Sequence, residues 1–237
     1  MNEVLRATGL AKTFTLHARG GAQLLPVFAG VDLAIAPGEC VALTGRSGSG
    51  KSSLLRCLYG NYAPTAGDVR VHHEGKWVSI STAPPREVID VRRRTLGYVS
   101  QFLRVIPRVA AIDIVADPLR RVGAGAEEAR ELAGLWLKRL NLPEYLWPLP
   151  PATFSGGEQQ RVNIAHGLIA RAPVLLLDEP TASLDAANRQ VVIQLIREAR
   201  ERGAAIAGIF HDEEVRDAVA TRRYDIQAHV ARQGKPS

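Results

Sequence analysis

The chain has 237 residues, 46% apolar and 23% charged; Lys and Arg exceed Asp and Glu by 30 to 24, a net charge of +6. Length and balance exclude intrinsic disorder, a collagen-like repeat and a coiled coil, and predict a self-sufficient core in one large or two small domains. The modest basic excess permits an anionic partner without requiring one.

Val4–Leu10 and Val31–Ile35 alternate as short strands, and HARGGAQLLP between Phe14 and Val27 reads as an exposed loop or hairpin end. After the Pro37-Gly38 turn come a strand over Glu39–Thr44, a glycine-rich stretch and a helix over Ser52–Tyr59. Pro64–Asp68 turns the chain, Val69–His73 and Lys76–Ile80 form a hairpin at Glu74-Gly75, and Thr95–Ser100 is another strand. From about Gln101 to Pro151 the pattern is helical and proline-punctuated, clearest over Glu127–Leu140, which reads as a helical insertion in an α/β core. A helix over Glu158–Arg171 begins at a Ser155 cap, with Glu158 in capping-box spacing. Buried strands over Val174–Leu177 and Ala204–Phe210 alternate with helices over Ala186–Arg202 and Asp212–Ala220, the repetition of βαβ units. The last residues, ARQGKPS, should fray.

Cys40 and Cys57 lie in apolar segments and read as small buried hydrophobes. No stretch approaches about 18 apolar residues, so no membrane span is expected. The N-terminus lacks a secretory pattern, so a cytoplasmic protein is expected. His72 and His73 have no acid or cysteine at recognisable metal spacing. Arg86, Arg92, Arg93, Arg94, Arg104 and Arg108 form a basic run beside Gln101, either an ordinary charged surface or a contact for an acidic protein. Tyr98 and Phe102 fall within the run without a regular interleaving, and nucleic acid is not the partner expected.

The chemistry concentrates in Gly45-Arg46-Ser47-Gly48-Ser49-Gly50-Lys51-Ser52, followed by Ser53, a full match to GxxxxGKS between a predicted strand and a predicted helix. Glycines let backbone N–H groups curl around a polyphosphate, and the helix N-terminus adds positive charge. Lys51 can reach the β and γ phosphates of ATP, and the Ser52 hydroxyl can bind Mg²⁺. Arg46 and Ser49 contribute loop shape only. Val174-Leu175-Leu176-Leu177-Asp178-Glu179 is an apolar strand ending in two acids. Asp178 is a candidate for Mg²⁺ and Glu179 for polarising a water; as adjacent acids they could otherwise cap a helix.

Phe154-Ser155-Gly156-Gly157-Glu158-Gln159-Gln160-Arg161 resembles the signature loop of ABC-type ATPases, normally LSGGQ, with Phe154 and Glu158 as departures. The resemblance covers nearly the whole chain. It implies an α/β P-loop NTPase of the ABC nucleotide-binding-domain type, one domain over 1–237. An α/β core with an antiparallel β subdomain (about 1–100 and 158–237) would carry an inserted helical subdomain (about 101–157). It further implies that Phe14 stacks on adenine, Gln101 touches Mg²⁺, Ser183-Leu184-Asp185 forms a loop beside the site, and His211 bonds to the γ-phosphate. Ser155, Gly156, Gly157 and Glu158 would face the phosphate loop of an opposite subunit, closing a homodimer or a paired ABC subunit on ATP.

Residues 85–109, 140–147, 151–165 and 203–216 resemble more closely the PhnL family of the bacterial carbon–phosphorus lyase pathway. That resemblance implies an accessory ATPase supporting conversion of alkylphosphonate and ATP to a ribose methylphosphonate triphosphate, partnered by lyase-complex subunits. The alternatives are the ATPase subunit of a membrane transporter or lipoprotein-release system, and a nucleotide-gated scaffold.

Overall fold

The computed structural model describes residues 3–18, 21–103 and 107–230. Strands β1 (Leu5–Ala18) and β2 (Gly21–Ile35) form one long antiparallel hairpin, paired from Leu5 with Ile35 to Ala18 with Gly21. The stretch HARGGAQLLP, expected as a loop, is thus mostly strand. Its backbones pair with each other while Gly21–Leu25 stays exposed, so no apolar period marks it. β3 (Cys40–Thr44) starts the second sheet. β4 (Ala66–His73) and β5 (Lys76–Ser79) complete the first, in the order β2-β1-β4-β5. The two-residue turn Glu74-Gly75 has φ of 46° and 84°, the left-handed pair such hairpins require.

The second sheet is parallel. β6 (Leu96–Val99), β7 (Val174–Asp178), β8 (Ala205–Ile209), β3 and β9 (Arg222–Asp225) lie in that order. Alternate residues of its strands enter two different cores. Val41, Leu43, Val174, Leu176, Ala205 and Ala207 pack with the antiparallel sheet and helix α1 (Lys51–Leu58). Ala42, Leu175, Leu177 and Ile206 pack with the helices of the other face. Burial on both faces explains the unbroken apolar runs.

Between α1 and β6 lies α2 (Pro85–Arg94), which sequence periodicity does not mark because Val91 is its one buried residue. The helical layer comprises α3 (Ala111–Arg121), α4 (Ala126–Arg139) and α5 (Gly156–Leu168), joined by α6 (Ala186–Glu201) and α7 (Glu213–Val219). β9 and α2 are the elements not anticipated.

The basic run is not one basic face. Arg92 donates to the Tyr59 carbonyl at 3.0 Å and stacks on its ring at 4.6 Å. Arg93 pairs with Asp90 at 2.8 Å, and Arg94 with Glu74 at 3.0 Å and Asp90 at 3.2 Å. Acids one helical turn away or across the hairpin neutralise them. Arg104 and the ARQGKPS tail lie outside the described residues.

Candidate active site

β3 ends where the phosphate loop begins. Gly50, the residue before α1, has φ of 94°, and a Cβ there would lie 2.5 Å from Val27 Cγ1. Only glycine lets β2 pass that close to the helix start. The α1 N-terminus has no side-chain cap and no acid in its first turn, so its backbone N–H groups face an exposed loop, Gly45–Gly48. Lys51 folds over that loop, its Nζ donating to the carbonyls of Gly45 at 2.8 Å and Arg46 at 3.0 Å. Arg46 N–H donates to Gln227 Oε1 at 3.2 Å, anchoring the loop to the segment after β9. The Ser49 hydroxyl is buried without a hydrogen-bond partner among the described residues. Ser47 is exposed at the tip, and Ser53 is half-buried on the first turn of α1.

Asp178 is 1% exposed at the end of β7. Its Oδ1 accepts from the Ser52 hydroxyl at 3.0 Å and its Oδ2 from the Tyr98 hydroxyl at 3.2 Å. Burial, with the Asp178 charge adding, pushes the Tyr98 phenol up to about 12. Tyr98 also stacks on Tyr59 at 4.9 Å. Sequence reasoning missed Tyr98; its one signal is a hydroxyl-bearing ring within a short apolar strand. Glu179 follows with φ of 52°, its N–H bonded to the Ile209 carbonyl at 3.1 Å. Its Oε2 accepts from Gln101 Nε2 at 3.1 Å, and its Oε1 lies 2.9 Å from His211 Nε2. Glu179 is 16% exposed and His211 69%, so the histidine caps the acid from the solvent side. The ends of β6, β7 and β8 thus deliver Gln101, Glu179 and His211 to one point. Gln101, expected on the metal, lies here against Glu179. Arg189 of α6 braces the turn after His211 through Asp212 at 3.0 Å. Phe14 is half-buried and edge-on to Tyr62 at 5.3 Å, with Lys12 Nζ 4.7 Å from its ring centre.

Ser155 caps α5 in a closed capping box. Its N–H and its hydroxyl both donate to Glu158 Oε2 at 2.8 Å, and Glu158 N–H returns to Ser155 Oγ at 3.4 Å. These bonds to Ser155 hold the Glu158 carboxyl below its usual range. A Cβ on Gly157 would lie 2.9 Å from the Ser183 carbonyl, so the signature loop packs against the Ser183–Asp185 turn; Gly156 is exposed beside it. Asp185 caps α6 through Asn188 N–H at 2.8 Å. Gln160 donates to the Pro180 carbonyl at 3.0 Å and Asn163 to the Ser100 carbonyl at 2.6 Å, tying α5 to the segments after β7 and β6. Sequence reasoning assigned neither residue. Among the described residues no hydrogen bond joins Ser155–Glu158 to Gly45–Ser52.

The cysteines and one histidine–carboxylate group lie apart from this arrangement. Burial pushes the Cys40 thiol up to about 12 and the Cys57 thiol to about 11, and they sit in different cores. The hairpin turn and α2 bring Glu74 and Asp90 to His73, a grouping the sequence spacing did not show. Both acids already hold Arg93 or Arg94, and His73 bonds to Thr95 at 2.6 Å.

Comparison with known proteins places this geometry. A family model described as ABC transporter matches residues 28–182. The chain is 41% identical over 213 residues to the lipoprotein-releasing system ATP-binding protein LolD 2 of Caulobacter vibrioides, covering 90% of each. It is 35% identical over 216 residues to the macrolide export ATP-binding/permease protein MacB of Syntrophobacter fumaroxidans, covering 90% of this chain and spanning 29% of that protein. Its fold matches the dimeric post-hydrolysis structure of the ATP-binding cassette MJ0796 bound to ADP and Pi, with a TM-score of 0.84, 30% identity and 98% of both chains covered. These relatives overturn the expected phosphonate role and the expected lyase-complex partners: they are named for lipoprotein release and macrolide export. Among the described residues no helix is long and apolar enough to cross a membrane.

Proposed function

This chain is an ABC-type ATPase belonging to the ABC transporter family, and from that premise we propose that it powers a membrane transport or lipoprotein-release machine as a nucleotide-driven dimer. The observation that carries the hydrolytic half is the grip of Gln101 and His211 on the two oxygens of Glu179, one residue beyond the Asp178–Ser52 bond. Glu179 orients a water and takes its proton as the water oxygen bonds to the γ-phosphorus and ADP leaves with the bridging oxygen. Lys51 and His211 carry the charge that develops on the γ-phosphate. The phosphate loop cradles the polyphosphate with backbone N–H groups, and the orphaned Ser49 hydroxyl is a further donor in that loop. Phe14 offers an aromatic edge for the base. The paired oxygens of Ser52 and Asp178 are a hard donor set that fits Mg²⁺, and Gln101 is close by on Glu179. When bound there the ion neutralises polyphosphate charge.

The second anion-binding helix end, at Ser155–Gly157, has no triphosphate to meet within its own chain. Two copies related by a two-fold axis each supply a phosphate loop to the other's signature loop. Support for this comes from the likeness to a cassette whose structure is dimeric. The transport half follows the relatives' names.

Glu179→Gln tests the mechanism. Phosphate release should fall about 10²–10⁴-fold, the range of a lost general base, while ATP binding persists and a dimer accumulates on a sizing column. Unchanged turnover removes Glu179 from its role. For transport, the same trapped protein captured with ATP from membranes should bring with it an integral membrane component whose reconstitution raises ATP turnover. Turnover indifferent to that component refutes the transport reading.

A further inference from the structure

We propose that Glu158 sets the ATP concentration at which two copies close, because its carboxylate occupies the Ser155 hydroxyl and the α5 terminus that the opposite copy's triphosphate needs. The inference rests on the dimeric reading above. A serine hydroxyl has one proton, and Ser155 gives it to Glu158 Oε2 at 2.8 Å. The Ser155 N–H goes to the same oxygen at 2.8 Å. A phosphate oxygen arriving at this end must therefore displace a carboxylate from two donors. The charge adds a second obstacle. The Glu158 carboxyl is held in its ionised form by the same bonds, so a full negative charge stands beside the partial positive charge of the helix end. The phosphate loop carries no such competitor: α1 has no acid in its first turn. Glu158 thus stabilises the unliganded helix start and opposes the liganded dimer, two effects of opposite sign from one side chain.

Glu158→Gln separates them. A glutamine amide oxygen still accepts from the Ser155 N–H in a capping box, while the charge is gone. In the full chain carrying Glu179→Gln, dimer formation is followed by analytical ultracentrifugation across an ATP and Mg²⁺ titration. Adding Glu158→Gln should lower the half-point about fivefold, in keeping with one unit charge removed near a screened polyphosphate. The ratio should shrink toward one as salt rises to 1 M, where the screening length is about 3 Å. The nucleotide-free melting temperature should fall slightly, so a general gain in stability cannot account for tighter closure. Glu158→Ala, which removes the charge and frees both Ser155 donors, should lower the half-point at least as far, with a larger melting loss. Equal half-points with and without the carboxylate, or a ratio indifferent to salt, overturn the role of Glu158 and leave the dimer standing. A Glu179→Gln protein that stays monomeric at saturating ATP overturns the dimer, and this inference with it.

Discussion

Two helix N-termini of this molecule face the same chemical task with opposite local chemistry. α1 begins at an uncapped glycine, with Lys51 looped back onto the carbonyls of Gly45 and Arg46. α5 begins at a capped serine whose donors are already spent on Glu158. The first end keeps its N–H groups open and holds a cation in reserve; the second satisfies itself. An open helix end is a cost in the absence of ligand, since its orphan donors have water as their only partner. A closed one is stable alone and must be unmade to bind. On the proposed reading, the difference divides the work: the α1 end would supply affinity for nucleotide, and the α5 end would set whether a second copy is recruited.

The largest test of that division is Lys51→Ala. Two or more charge-assisted phosphate contacts, each worth about 1.5–3 kcal/mol, are lost. ATP affinity measured by calorimetry should fall by about 10²–10⁴-fold, while melting of the nucleotide-free protein barely moves, because the lysine bonds only its own exposed loop. Retained ATP binding would remove the reserve cation from the α1 end. Next in size is Gly50→Ala. The new Cβ would stand 2.5 Å from Val27 Cγ1 in a left-handed backbone. Strain and overpacking together should cost about 2–4 kcal/mol in chemical denaturation, and nucleotide binding should weaken with it as β2 is pushed from the loop. An alanine tolerated at full stability would mean that the open end is not held by the close passage of β2.

How much of this was legible in the sequence follows from how each feature is encoded. The phosphate loop sits in one contiguous stretch whose glycines, lysine and serine each answer a local backbone demand, so its position between β3 and α1 could be read directly. The capping box of Ser155 and Glu158 is equally local. Gln101 and His211 each end a different strand, and only a resemblance, not a spacing, pointed to them. The structure shows what the spacing could not: they meet on Glu179. Tyr98 escaped because its bond to Asp178 spans 80 residues and depends on β6 lying beside β7. The long hairpin escaped because backbone pairing leaves no period in exposed side chains. The phosphonate assignment failed for a different reason. It rested on the likeness of segments 85–109, 140–147, 151–165 and 203–216, and a likeness along stretches that include the signature loop and His211 does not fix what hydrolysis drives.

The smallest expected effect is also the most direct probe of the closed end. The bonds from Ser155 depress the Glu158 carboxyl in the folded protein. A depressed carboxyl contributes stability that is fully present above its unfolded value, here 4.5, and is lost as pH falls through the lower folded value. An acid at the first turn of a solvent-facing helix contributes about 0.3–1 kcal/mol at low salt. The wild-type chain should therefore melt slightly above Glu158→Gln at pH 6–7, taken roughly as the neutral plateau of the linkage, and the two curves should converge once the acid is neutral. Raising the salt at neutral pH should narrow the same gap without any protonation, since charge and helix dipole are both exposed to screening. A gap that persists in acid would mean that the side chain acts there through shape alone. In that case the contrast between the two helix ends would lie in their caps and not in their charge.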